Sequence, residues 1–224
     1  MRTRRHPQNP NLHLHYDDTF DGRPVMTEAG PFILKYLDDL KRTIELALAQ
    51  YPRVLAFRVD LRLPRGIDLP GDAYTNQVIS RFIESFKAKI EHHRGKARER
   101  NQYAHDCKVR YVWAREIGER QRPHYHLVIL LNRDAYFTLG RLRSERANNI
   151  SRVEEAWASA LGLSVDEVEG LVHIPDNATY RIYRDVPEDT KDELPELFRR
   201  ASYLCKAATK SYGDNHHGFG CSRG

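Results

Sequence analysis

From Arg53 to Leu63 the chain alternates without a break: Leu55, Phe57, Val59, Leu61 and Leu63 fall on one side, and Ala56, Arg58, Asp60 and Arg62 on the other. A period of two over this length is the signature of a half-buried strand. The chain must therefore build a sheet with one apolar and one polar face. Two further strands are expected at Arg110–Glu116 and in the apolar run that follows Arg122, with the polar, Gly-containing stretch Ile117–Gln121 between them as the turn of a hairpin. Helical spacing marks three segments: Pro31–Tyr51 (Leu37, Leu40, Ile44, Leu48), about Thr75–His93 (Ile79, Phe82, Phe86, Ile90) and about Ser144–Leu161 (Ile150, Val153, Trp157). Leu171–Ile174 reads as another strand. This order predicts an α+β fold, an antiparallel sheet with helices packed on its apolar face and its polar face open for a site.

The hairpin carries the most chemically suggestive residues. Arg122-Pro-His-Tyr-His-Leu-Val-Ile-Leu-Leu131 places His124 and His126 two apart, hence on one face of the strand. With the turn tip near Glu119–Gln121, Glu116 falls opposite His124, and cross-strand partners share a face. Two imidazoles and a carboxylate suit a divalent ion such as Mn²⁺ or Mg²⁺ with positions left for a phosphate. A slip of one residue would turn Glu116 away and leave Glu119 or a distant residue as third ligand. Downstream, Leu197–Lys210 has helical periodicity, with Leu197, Ala201, Leu204, Cys205 and Ala208 on one stripe and Arg199, Tyr203, Lys206 and Lys210 opposite. Tyr203 is then either a surface tyrosine among basic residues or a nucleophile whose phenolate those cations favour. Tyr180-Arg-Ile-Tyr-Arg184 interleaves aromatic and basic residues, a pattern that fits base stacking on a single strand or a polar edge strand.

A strand with His124-Tyr125-His126, followed by a helix with Tyr203-Leu-Cys-Lys206, resembles the HUH endonucleases that initiate rolling-circle replication. The similarity extends through Asp60-Leu-Arg-Leu-Pro64, Asn132-Arg-Asp-Ala-Tyr-Phe137, Ser202–Lys206 and Phe219-Gly-Cys-Ser-Arg223 to the gene-two replication proteins of filamentous inoviruses and the related YagK/YfjJ C-terminal domain of prophages. The resemblance implies an HUH/RRM-like, ferredoxin-like core. It also implies that His124, His126 and Glu116 hold the ion on a scissile phosphate, that Tyr203 attacks to leave a 5′-phosphotyrosine and a free 3′-hydroxyl, and that Lys206 stabilises the developing charge. Arg58, Arg62, Arg199, Lys210, Tyr180 and Tyr183 would contact single-stranded or hairpin origin DNA, with a host helicase and polymerase completing replication. Some initiators carry two tyrosines on this helix, whereas Arg199 and Ala207 stand one turn either side of Tyr203. Three other readings stay open: a DNA-binding module that has lost the chemistry, an RNA-binding sheet of the RRM type, which would want exposed aromatics where Arg58, Asp60 and His126 stand, and a hydrolytic nuclease that leaves no protein-bound product.

A formal charge of +5 and a pI near 9.1 mildly favour an anionic partner. Three cysteines without metal-finger spacing, and no apolar run of membrane-spanning length, suggest a reducing cytoplasm, which the resemblance implies is that of a bacterial host. Residues 1–24 are expected to form a flexible basic arm, 25–212 the folded domain and 213–224 a tail. His13 and His15 imitate the histidine motif without an apolar strand behind them, and His216-His217 sit in the expected tail.

Overall fold

The computed structural model describes residues 4–118, 122–140, 148–210 and 216–223. The chain runs β1 (Arg5–His6), β2 (Asn9–His15), β3 (Thr19–Phe20), β4 (Arg23–Pro24), β5 (Phe32–Ile33), α1 (Leu34–Gln50), β6 (Arg53–Arg62), α2 (Asn76–Arg100), β7 (Arg110–Ile117) and β8 (Pro123–Asn132). It continues through α3 (Asn149–Leu161), β9 (Val172–His173), β10 (Thr179–Tyr183), α4 (Leu194–Ala201), a 3-10 turn (Ser202–Cys205) and β11 (Phe219–Cys221). The predicted strands and the first three predicted helices are present, the helix expected over 197–210 is shorter, and the α+β class is borne out. α2 extends further than its apolar stripe, and the 144–147 part of the third predicted helix lies outside the described residues.

The alternating stretch is the inner strand of an antiparallel sheet ordered β10-β6-β8-β7-β11, with β9 also paired to β6. Its even and odd positions do what the pattern demanded. Leu55, Phe57, Val59 and Leu61 join Tyr125, Leu127 and Ile129 of β8 under α2 and α3. The edge of α3 nearest the site is tied down by Trp157, whose indole N–H donates to Arg62 O at 2.8 Å.

The opposite face is not open along its length, as the alternation alone suggested. Val54 and Ala56 of β6, Val112 and Ala114 of β7, and Val128 and Leu130 of β8 point to it, and α1 and α4 cover them. Leaving residues of this size in water would cost about 1.5–3 kcal/mol each for the larger ones, so helices are needed on this side as well. The end of this face away from them carries Arg58, Asp60, Arg62, Glu116, His124 and His126 and is polar.

Residues 5–24, expected as an arm, form strands instead: β2 pairs with β1 and with β5, and β3 with β4. Two-residue strands leave no periodicity to read. This layer grips the segment after α4. Met26 N–H donates to Ser202 Oγ at 2.9 Å, Ala207 N–H donates to Pro31 O at 2.8 Å, and Phe32 forms a β-bridge with Lys206. The expected tail is also structured in part, because β11 adds an edge strand to β7. Gly220 is required there: a Cβ at this position would lie 2.6 Å from the Trp113 ring.

Candidate metal and tyrosine site

The hairpin register places the ligands. Glu116 pairs with His124 and Ala114 with His126 across β7 and β8, so Glu116, His124 and His126 share the polar end of one face. Gly118 N–H donates to Arg122 O at 3.0 Å and closes the hairpin next to them. The register that brings Glu116 to the histidines is the one observed, and Glu119, the alternative third ligand, lies outside the described residues. Glu116 Oε2 is 3.6 Å from His124 Nε2 and 3.5 Å from His126 Nε2. One donor atom from each of the three residues falls within 4.8 Å of the others.

Asp60, which alternation put on the polar face without a role, proves to be the partner of His126. It pairs with His126 across β6 and β8, and its Oδ1 lies 2.6 Å from His126 Nδ1. A contact this short to a carboxylate places the proton on Nδ1, which leaves the Nε2 lone pair facing Glu116. That Nε2 is buried and makes no hydrogen bond. A carboxylate behind an imidazole, with the second nitrogen free, is how proteins orient a metal-binding histidine. The three side chains therefore fit a divalent ion, with two nitrogens and one oxygen as donors. Sequence reasoning missed Asp60 because the pairing of β6 with β8 joins residues 66 apart.

Burial opposes the charge on Glu116, yet the imidazoles of His124 and His126 and the Lys206 ammonium outweigh it and hold the carboxyl well below the usual range. Burial likewise disfavours protonation of His126, but Asp60 and Glu116 prevail and raise its pKa. Asp60 is kept ionised against its own burial by His126 and Arg58.

Tyr203 stands over the same end of the sheet. Its ring meets the His126 imidazole edge-on, with centroids 5.6 Å apart. Lys206 Nζ lies 3.6 Å from the centre of the phenol ring and 3.0 Å from Glu116 Oε1, while the Arg58 guanidinium lies 5.0 Å from the ring centre. Two cations therefore lie within cation–π range of one phenol ring.

The predicted helix over 197–210 is corrected here. α4 stops at Ala201, Tyr203 sits in the 3-10 turn, and Lys206 is extended, so Lys206 is not one helical turn beyond Tyr203. Leu197, Ala201, Leu204 and Cys205 are buried as the stripe required, but Lys206 and Lys210 are buried too. Tertiary contacts with β5 and the loop before it end the helix where periodicity alone would continue it.

The remaining predicted DNA contacts do not converge. Arg62 is exposed and pairs with His124 at the rim of the site. Arg199 is held by Glu196 at 2.9 Å. Tyr180 is packed into the core beneath α4, and Lys210 is 4% exposed with no hydrogen bond at Nζ, so neither presents a surface to a DNA strand. Burial lowers the Lys210 pKa to about 8, although Glu116 pulls the other way. Tyr183 is half-buried, hydrogen-bonded by Arg133 at the far end of the sheet. His15 Nε2 is 2.9 Å from Thr19 O and its ring meets Phe20, and neither His13 nor His15 belongs to a group of potential metal ligands among the described residues. The Asn76 side-chain amide donates to His217 O and accepts from His217 N–H. All three cysteines are free. No helix among the described residues is long and apolar enough to cross a membrane.

Among solved structures, the chain is similar to the N-terminal nuclease domain of non-structural protein 1 of minute virus of mice. The two are 13% identical with a TM-score of 0.30, over 69% of this chain and 76% of that one. Sequence relatives are far nearer. The uncharacterized proteins YagK and YfjJ of Escherichia coli (strain K12) are 34% and 32% identical to it, over 87% and 88% of this chain and 95% and 98% of theirs. The model of the YagK/YfjJ C-terminal domain matches residues 15–222, and the chain belongs to that family.

Proposed function

We propose that the protein is a metal-dependent endonuclease and strand transferase of the HUH type, which nicks and rejoins single-stranded DNA through Tyr203. The observation that carries this reading is the position of one tyrosine ring against a Glu–His–His donor set, on one sheet face and in contact with two cations. A divalent ion held by Glu116, His124 and His126 would withdraw charge from a scissile phosphate and orient it. Asp60 fixes the His126 tautomer for that task. Arg58 and Lys206 lie against the Tyr203 ring, where they would offset the charge of an approaching phosphate, and Lys206 also balances Glu116. Attack of Tyr203 Oη on phosphorus breaks the bond to the 3′-oxygen. The 5′-phosphate remains on the tyrosine and a 3′-hydroxyl is released, and the reverse attack reseals the strand without ATP. Such an enzyme would serve rolling-circle replication of a phage or prophage element, with host helicase and polymerase acting on the 3′ end. Mn²⁺ and Mg²⁺ are the ions this reading expects, and the bacterial cytoplasm its setting.

The test is incubation with Mn²⁺ and a pool of labelled single-stranded and hairpin oligonucleotides. The expected result is a protein–DNA adduct that survives denaturant and is absent in Tyr203→Phe. Cleaved ends without an adduct would identify a hydrolytic nuclease, and binding without cleavage an inactive module.

A further inference from the structure

Away from the tyrosine, at the opposite end of the sheet, four side chains alternate in charge and aromaticity. The Arg181 guanidinium lies 5.4 Å from the centre of the Phe137 ring, and Arg133 lies 5.3 Å from Phe137 and 5.2 Å from Tyr183. Arg133 also hydrogen-bonds the Tyr183 hydroxyl. Arg181 pairs with Leu55 and Tyr183 with Arg53 across β10 and β6, so both lie on the sheet face opposite Tyr203, along an edge strand.

Two properties set this group apart from ordinary packing. Phe137 is 64% exposed, an expensive position for a large apolar ring with no covering element among the described residues. Neither guanidinium is in an ion pair among the described residues: the nearby Asp134 is taken by Arg53 at 2.6 Å, and Glu193 accepts the backbone N–H of Arg181. The result is an exposed aromatic ring in contact with two planar cations that have no ion-pair partner among the described residues.

We propose that Phe137, Arg133 and Arg181 form a second nucleic-acid contact, which takes an unpaired base by stacking and its flanking phosphates by charge. Single strands fit this surface better than duplex. A paired base has both faces covered by its neighbours, whereas an unstacked one can lie on a ring or a guanidinium plane. This contact would hold DNA outside the nicking site. It rests on the reading above only for the choice of DNA as ligand.

The experiment measures binding without cleavage. Tyr203→Phe protein in EDTA is titrated into a fluorescent single-stranded 20-mer and the matching duplex, followed by anisotropy. Adding Phe137→Ala is expected to weaken single-strand binding about fivefold or more, the loss of one stacked base. Phe137→Trp keeps a stacking face and should bind as the parent does. Tyr103→Ala, which removes an 81% exposed aromatic elsewhere, should change nothing. Arg181→Ala should lower the slope of log affinity against log salt by about 0.7, one phosphate contact on a single strand. Unchanged single-strand affinity in Phe137→Ala overturns the proposal and leaves the surface to a protein partner. Equal losses in Phe137→Ala and Tyr103→Ala overturn it as well. Because no nick is scored, this test can fail while the adduct assay succeeds, and the reverse.

Discussion

The hairpin β7–β8 and the segment Ser202–Lys206 each contribute half of the candidate site, yet they are held in opposite ways. In the hairpin, Glu116, His124 and His126 are placed by a ladder whose strands adjoin in sequence, and their register follows from a short turn. Tyr203 and Lys206 are placed by contacts from the other end of the chain: Met26 to Ser202, Pro31 to Ala207, Phe32 to Lys206. One half is local. The other depends on a layer of two- to seven-residue strands and is followed by a buried lysine, Lys210, whose Nζ has no hydrogen-bond partner among the described residues. The site would thus combine a preformed donor set with a nucleophile whose position rests on long-range packing.

That contrast predicts separable losses. The largest is expected in His126→Ala, which should abolish both Mn²⁺ binding by calorimetry and adduct formation, while Tyr203→Phe abolishes the adduct and leaves Mn²⁺ affinity intact. Loss of metal binding in Tyr203→Phe would mean the halves are one unit.

Lys210 tests the cost stored in the second half. Its folded-state pKa, about 8, lies below the 10.5 of a free lysine, so the unfolded chain binds the extra proton. The penalty is full below pH 8 and fades as pH rises toward 10.5. Lys210→Met should therefore stabilise the protein in denaturant titrations at pH 7, by at most roughly 3 kcal/mol, with the gain shrinking above pH 8. A gain independent of pH would assign the effect to packing instead of charge.

Asp60→Asn probes the first half more gently. Loss of the carboxylate behind His126 should weaken metal binding by about 10- to 100-fold, with adduct formation recovered at saturating Mn²⁺. Unaltered affinity would show that His126 needs no orienting partner.

The smallest effect is expected in Ser202→Ala, which strips the acceptor from Met26 N–H. It should cost about 1–2 kcal/mol of stability and slow adduct formation, with Mn²⁺ affinity unchanged.

Legibility followed the same division. Alternation at Arg53–Leu63 identified the inner strand, and the spacing from Glu116 to His124 suggested the hairpin register that is observed, because both signals span neighbouring residues. Asp60 was visible as a polar-face residue but not as the partner of His126. The helix assigned over 197–210 ran too far, since periodicity cannot register a bridge from Phe32 that ends it. Residues 5–24 read as an arm because β1, β3 and β4 are too short to carry a period, and the arginines and prolines around the seven-residue β2 read as a segment without a core.

Composition and pattern by themselves determined the α+β class, the two-sided alternation of the sheet and the pair of histidines on one strand face, with Glu116 as third ligand in one of the registers left open. Those features arise from side-chain alternation and a short turn, where sequence distance and spatial distance coincide. Only the tertiary structure decided that Asp60 orients His126, that α1 and α4 cover the rest of the polar strands' face, and that Tyr203 comes to rest over the imidazoles. Each of those depends on residues brought together from far apart in the chain by burial of apolar surface, and a linear pattern does not specify which distant partner that burial selects.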